Sequence, residues 1–169
     1  LGLAGGFLEP LESTSIHLIQ TAVARLMTNF PDKHFNQSDI DYFNQKTLLE
    51  YEQVRDFLIL HYCATQRTDS PFWNYVRTME IPETLRQRID IYMENGRLYR
   101  DNNELFSENS WFAVFEGQNW RPKRYHPVID SMSDEVLDRR MLEIRRTMHK
   151  CLDTFEDHET YLHKLVQSA

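Results

Sequence analysis

Glycine is scarce: five in 169 residues, under half the usual ~7%, with Gly2, Gly5 and Gly6 crowded into the first six positions. A turn-rich all-β fold is therefore excluded as the main expectation. Basic character is lacking too, with 19 Lys and Arg against 26 Asp and Glu, a formal net charge of −7, and no Lys/Arg run longer than a pair. Neither nucleic acid nor an anionic membrane is expected as the main partner. No stretch approaches the ~20 apolar residues that span a bilayer, and no basic n-region of a signal peptide opens the sequence. Only two cysteines occur, Cys63 and Cys151, too far apart in a loop-poor sequence to suggest a secreted disulfide scaffold. The chain reads as soluble and cytoplasmic.

What is present is apolar and periodic. With 41% hydrophobic and 12% aromatic residues, the chain carries enough apolar side chain to fold as one domain or part of one rather than stay disordered. Leu1 to Leu8 is apolar and glycine-rich, which reads as the end of a buried strand and a tight loop, and so as part of a longer protein. Beyond Pro10 the pattern is helical. Ile16, Ile19, Val23, Leu26, Met27 and Phe30 share one face of a helix starting near Ser13, and Pro31 ends it. Ser38 is placed to cap a long second helix carrying Leu48, Tyr51, Val54, Leu58 and Tyr62. Shorter helices are predicted over 70–79, 83–94 and 108–116, and a last one from Ser133 to Phe155, with 160–168 continuing it or folding back.

Metal ligation is not expected. His158 and His163 lie five apart and so diverge by about 140° around a helix, and neither cysteine has a second ligand at metal-binding spacing. The stretch Gly5-Gly6-Phe7-Leu8-Glu9-Pro10-Leu11-Glu12-Ser13-Thr14-Ser15-Ile16 is more informative. The amides at the start of the following helix can hold an anion without any basic side chain. Glu12 would repel that anion, so if both act, its carboxylate must project elsewhere. As residues alone, Glu9 and Glu12 read first as solvated side chains that favour a helix start.

Those twelve residues resemble the signature of the flavin-dependent tryptophan halogenase family. Two further blocks agree: 54–82, with His61-Tyr62, Arg67, Asp69-Ser70-Pro71-Phe72-Trp73 and Ile81-Pro82, and 117–130, with Arg121-Pro122 and Tyr125-His126-Pro127. The resemblance implies a mainly α C-terminal, substrate-side region of an α+β enzyme whose FAD-binding domain is mostly absent here. Residues 1–16 would close the FAD and halide module, and 17–169 form the helical substrate-side domain. It also implies that reduced FAD, oxygen and chloride or bromide yield a hypohalous acid that halogenates an electron-rich aromatic such as tryptophan or indole. A separate flavin reductase would supply the reduced FAD. By position, Glu12 is the catalytic carboxylate, the amides of Thr14 and Ser15 hold halide, Leu3 and Ile16 contact flavin, and His61, Tyr62, Phe72 and Trp73 hold the substrate.

Some family features are missing. The Gly-rich dinucleotide fingerprint, the essential lysine and the Trp-x-Trp-x-Ile-Pro motif precede this region in the family, so this segment alone is expected to be inactive. Where tryptophan-acting members have a tyrosine pair and a carboxylate, this chain has His61-Tyr62 and Thr68, and Ser15 stands for a glycine. An ammonium without its carboxylate loses a charge-assisted bond, so an indole or a carrier- or peptide-borne aromatic fits as well as free tryptophan. The alternatives are a flavin monooxygenase hydroxylating an aromatic and a non-catalytic helical binding module. Trp111 and Trp120 read as structural.

Overall fold

A computed structural model describes residues 2–101 and 104–168. Among these residues all regular structure is helical, and two compact units are formed, Leu1–Tyr125 and His126–Ala169.

The first unit is organised around one long rod. Helix α2 (Gln37–Cys63) follows α1 (Thr14–Thr28) and precedes α3 (Pro71–Thr78), α4 (Glu83–Asn95) and α5 (Glu108–Gly117). Its 27 residues span about 40 Å at 1.5 Å per residue, enough to carry two separate cores. Near the C-terminal end, Phe57, Leu60, Cys63 and Ala64 pack with Leu85, Ile89 and Tyr92 of α4 and Trp111 and Phe115 of α5. Aromatic stacking fills this core, with Tyr92 on Phe115 at 4.1 Å and Phe57 on Phe106 at 3.8 Å between ring centroids. The second core joins Leu18 of α1 to Val54 and Leu58, with Leu8 and Tyr51 packed against it. Polar ties reinforce the α1–α2 contact: Arg25 donates to Glu50 and to Thr47, each at 2.8 Å.

Burial pushes the Cys63 thiol up to about 11, while Cys151 is exposed. Gly96 ends α4 in the left-handed region at φ 62°, its N–H donating to Tyr92. A Cβ there would lie 2.9 Å from the Arg124 carbonyl. Gly96→Ala is therefore expected to cost about 1–2 kcal/mol from the backbone conformation alone, with the contact adding to it. A urea melt against wild type measures the loss, and equal stability would show that the turn is not held as described.

Helices fall where the sequence pattern puts them, with instructive differences. The opening residues form a 3-10 turn over Gly2–Gly5 instead of a strand end. Gly2 takes φ 69° there, and among the described residues no strand offers it a partner. Helix α2 starts at Gln37 after Asn36, one residue before the expected cap Ser38. Ser13 precedes α1 but sits at φ 55° with no side-chain capping bond, because its N–H closes the preceding turn onto Pro10.

The apolar face of α1 is the largest difference. Its buried residues are Thr14, Leu18 and Ala22, whereas Met27 and Phe30 are each 74% exposed, and Ile16 and Val23 also face outward. At 100° per residue the two faces lie roughly 150° apart. Periodicity marks the more apolar face of the helix; it does not say which face this chain buries.

In the second unit a 3-10 turn (Pro127–Ser131) leads into α6 (Asp134–Thr154) and then a separate helix α7 (His158–Gln167). Asp157 separates them, its carboxylate accepting from the amides of Glu159 and Thr160, so 158–167 forms its own helix. None of the residues of α6 or α7 is buried. No helix among the described residues is long and apolar enough to cross a membrane.

Candidate functional site

The site is assembled where the segment before α1 crosses the C-terminal end of α2. Gly6 anchors that segment: its carbonyl accepts from the Tyr51 hydroxyl at 3.1 Å, and a Cβ on it would meet the Tyr51 ring at 2.7 Å. Only glycine lets backbone and ring approach this closely. Three residues on, the Glu9 carboxylate accepts from the Tyr62 hydroxyl at 2.5 Å. That bond, with burial and the negative charge of Glu9 adding to it, raises the Tyr62 phenol above its ordinary value.

A short 3-10 turn (Pro10–Glu12) follows, and Ser13 in its left-handed conformation redirects the chain into α1. The residues on either side of Ser13 meet different surroundings. Glu12 points to α2, its Oε1 3.1 Å from His61 Nε2, and its side chain stays 39% exposed. On the other side, Thr14 Oγ1 and Ser15 Oγ are shielded from solvent without a hydrogen-bond partner among the described residues. They accompany the first amides of α1, which by helix geometry have no intrahelical acceptor. The anion would thus meet donors, not the carboxylate. Leu3 and Ile16 are both exposed apolar side chains.

His61 lies in the last turn of α2, its Nδ1 2.8 Å from the Phe57 carbonyl. The Phe57 ring meets the imidazole edge-on at 4.7 Å. Tyr62 starts an aromatic cluster: Trp73 lies 6.2 Å away and nearly parallel, at 22°, and Phe72 packs edge-on against both rings. Ser70 and Pro71 start α3 in a way that fixes these rings, since the Ser70 side chain accepts from the Trp73 amide and Pro suits the first helical position. Arg67 covers the Trp73 ring, its guanidinium carbon 4.4 Å from the ring centroid. Two hydrogen bonds tie it to Asp69, whose carboxyl they hold below the ordinary value. Thr68 is exposed between them.

Glu12 is thus brought to His61, and Tyr62, next in sequence, meets Phe72 and Trp73; Thr14, Ser15 and Ile16 lie in the first turn of α1, and Leu3 in the opening 3-10 turn. Sequence reasoning missed Glu9 as the partner of Tyr62, since a carboxylate before a proline reads as solvated. It also missed the Glu12–His61 contact, because 49 residues separate the two and no local spacing signals it.

This fold and this peptide define a halogenase-type helical region. A sequence model of the tryptophan halogenase family matches residues 1–134, and the chain belongs to that family. Among solved structures it is similar to the flavin-dependent halogenase BrvH from Brevundimonas sp. BAL3, at 41% identity and a TM-score of 0.91, covering 98% of this chain and 34% of that one. Xcc4156, a flavin-dependent halogenase from Xanthomonas campestris, matches at 43% identity and a TM-score of 0.92, covering 97% and 33%. The tryptophan 7-halogenase RebH of Lentzea aerocolonigenes is 28% identical over 179 aligned positions, covering 90% of this chain and 34% of that protein. The chain thus spans about a third of the length of its relatives.

Proposed function

We propose that this chain forms the C-terminal, substrate-side third of a flavin-dependent halogenase acting on an electron-rich aromatic. The observation that carries the reading is the division at Ser13: a carboxylate directed to His61 on one side, and on the other buried hydroxyls, unpartnered among the described residues, beside the helix-start amides. The orphaned oxygens of Thr14 and Ser15 fit a halide, which accepts hydrogen bonds and needs no basic side chain. Leu3 and Ile16 offer apolar flanks for a flavin ring. Reduced FAD, when bound, supplies the oxidising chemistry that turns halide and oxygen into hypohalous acid, and a separate reductase delivers the reduced flavin.

The remainder of the polypeptide would cover the exposed apolar side chains of Val23 and Met27 on α1 and of Phe30 just beyond it. Tyr62, Phe72 and Trp73, with His61 beside them, hold the aromatic substrate by ring contacts. Glu12 meets the substrate with its charge, stabilising the cationic ring that forms when halogen adds and removing its proton. With Thr68 in place of a carboxylate, an indole or a carrier- or peptide-borne aromatic fits at least as well as free tryptophan, whose ammonium loses that charge-assisted bond.

The test is mass spectrometry of products from the complete polypeptide with FAD, a flavin reductase, NADH, bromide or chloride, and a panel of indoles that includes tryptophan. A halogen isotope pattern on an indole is the expected result. Hydroxylated product alone, with flavin bound and reduced, would overturn the reading in favour of a monooxygenase.

A further inference from the structure

Two tyrosines of α2 hold the peptide that carries Glu12. Tyr51 and Tyr62 are eleven residues apart, so they leave one face of the rod within about 20° of each other and roughly 16 Å apart along it. Both direct their hydroxyls to the same short segment. Tyr51 donates to the Gly6 carbonyl at 3.1 Å and Tyr62 to the Glu9 carboxylate at 2.5 Å. Between the two, Leu8 packs against the core of Leu18, Val54 and Leu58. The bond at Gly6 uses backbone; the bond at Glu9 is made by a side chain, is the shorter, and has the strength of a hydrogen bond to a charged acceptor. The raised Tyr62 phenol accords with a proton held by that carboxylate.

From Glu9 the chain to Glu12 is short and stiff. Pro10 restricts its own φ, and the turn Pro10–Glu12 is closed by the Ser13 N–H donating to the Pro10 carbonyl at 3.0 Å. In the other direction the Tyr62 ring meets Phe72 edge-on and Trp73 nearly parallel. Both rings ride on α3, which buries only Val76, so their place depends heavily on side-chain contacts. The Arg67 guanidinium over Trp73 leads back to Asp69, whereas Tyr62 leads through Glu9 to the peptide of Glu12.

We propose that Glu9 is a positioning residue: bonded to Tyr62, it is a strut that sets the aromatic cluster in register with Glu12, and so decides which ring carbon of a bound aromatic is halogenated. This rests on the halogenase reading above. Ring contacts alone let a flat aromatic settle in several offsets of similar energy. A displacement on the order of 1 Å changes a rate by up to about 10²-fold and is comparable with the spacing of neighbouring ring carbons. Register is therefore read out as the ratio of positional isomers.

The test compares Glu9→Ala, Glu9→Gln, Tyr62→Phe and the double variant Glu9→Ala, Tyr62→Phe in the complete polypeptide, with melting temperatures to check folding. Each receives FAD, a flavin reductase, NADH and bromide, with indole and with 3-methylindole, whose most reactive carbon is blocked. In Glu9→Ala and in Tyr62→Phe the ratio of the main brominated isomer to the others is expected to fall about tenfold. The double variant is expected to fall no further, because both changes remove one bond. Glu9→Gln keeps a carbonyl that accepts from Tyr62 and is expected to restore most of the ratio. A Glu9 that only stabilises the fold would lower the melting temperature or turnover and leave the ratio native. An unchanged ratio in both single variants, losses that add in the double variant, or Gln as damaging as Ala would overturn the strut. Hydrogen exchange needs no turnover: the amides of α3 are expected to exchange about tenfold faster in Glu9→Ala, with those of α4 unchanged. Equal exchange in α3 overturns the strut whatever the products are. If the native enzyme halogenates no aromatic with flavin bound and reduced, the halogenase reading falls and the control of isomers with it, whatever the exchange shows.

Discussion

Replacing Glu12 by Gln in the complete polypeptide is expected to lower halogenation about 10²- to 10⁴-fold, the usual weight of a positioned base, while flavin binding and oxygen uptake persist. Glutamine keeps the size of the side chain beside His61 but removes the charge that, on the proposed reading, stabilises a cationic ring and the oxygen that accepts its proton. The same change separates the halogenase reading from its closest rival. A monooxygenase using the α1 amides only at the flavin edge has no task for a carboxylate directed at His61, so hydroxylation would survive in the variant. Oxygen consumption measured beside product mass distinguishes the two, and full halogenation by Glu12→Gln would remove the carboxylate from the mechanism.

The largest loss of stability is expected away from the site, at Glu104→Ala. Arg88 and Glu104 are 7% and 4% exposed and joined by two hydrogen bonds of 3.0 and 2.5 Å. The guanidinium also lies over the rings of Trp111 and Tyr99, at 4.2 and 4.6 Å. Burial alone would lower the Arg88 value, yet the hydrogen bonds and charge of Glu104 outweigh it and leave the value raised. Removing the carboxylate strands a buried cation, which costs about 3–5 kcal/mol, a large share of the ~5–15 kcal/mol that holds a typical domain folded. The double replacement Arg88→Met, Glu104→Leu is expected to recover most of it, since no charge is left buried. Chemical denaturation of the three proteins checks both statements; a double variant as unstable as Glu104→Ala would show that the pair is favourable in itself.

How much of this was legible depended on whether the signal is local. Helix α3 was readable because Ser70 and Pro71 act on their own backbone, and α4 because Gly96 ends it. The approach of Gly6 to Tyr51, the Glu9–Tyr62 bond and the Arg88–Glu104 pair join residues distant in sequence, and no periodicity announces such a partner. At α1 the pattern misled for another reason. The stripe from Ile16 to Phe30 is more apolar than the face made by Thr14, Leu18 and Ala22, yet the second is buried here. The peptide from Gly5 to Ile16 was legible as a helix start with room for an anion, whereas the direction taken by Glu12 depends on Ser13 turning left-handed, which a serine does not advertise.

The separate footing of α3 and α2 has a consequence for how such a protein can change. Phe72 and Trp73 sit on an eight-residue helix that buries only Val76, reached through the exposed residues 66–69. Glu12 and His61 are tied instead to the rod whose side chains build both cores. Substitutions at 66–75 are thus expected to perturb little of the fold, and on the proposed reading a lineage or a laboratory library would explore new substrates there while leaving Glu12 and His61 in place. On that reading, selectivity and chemistry would be separately heritable.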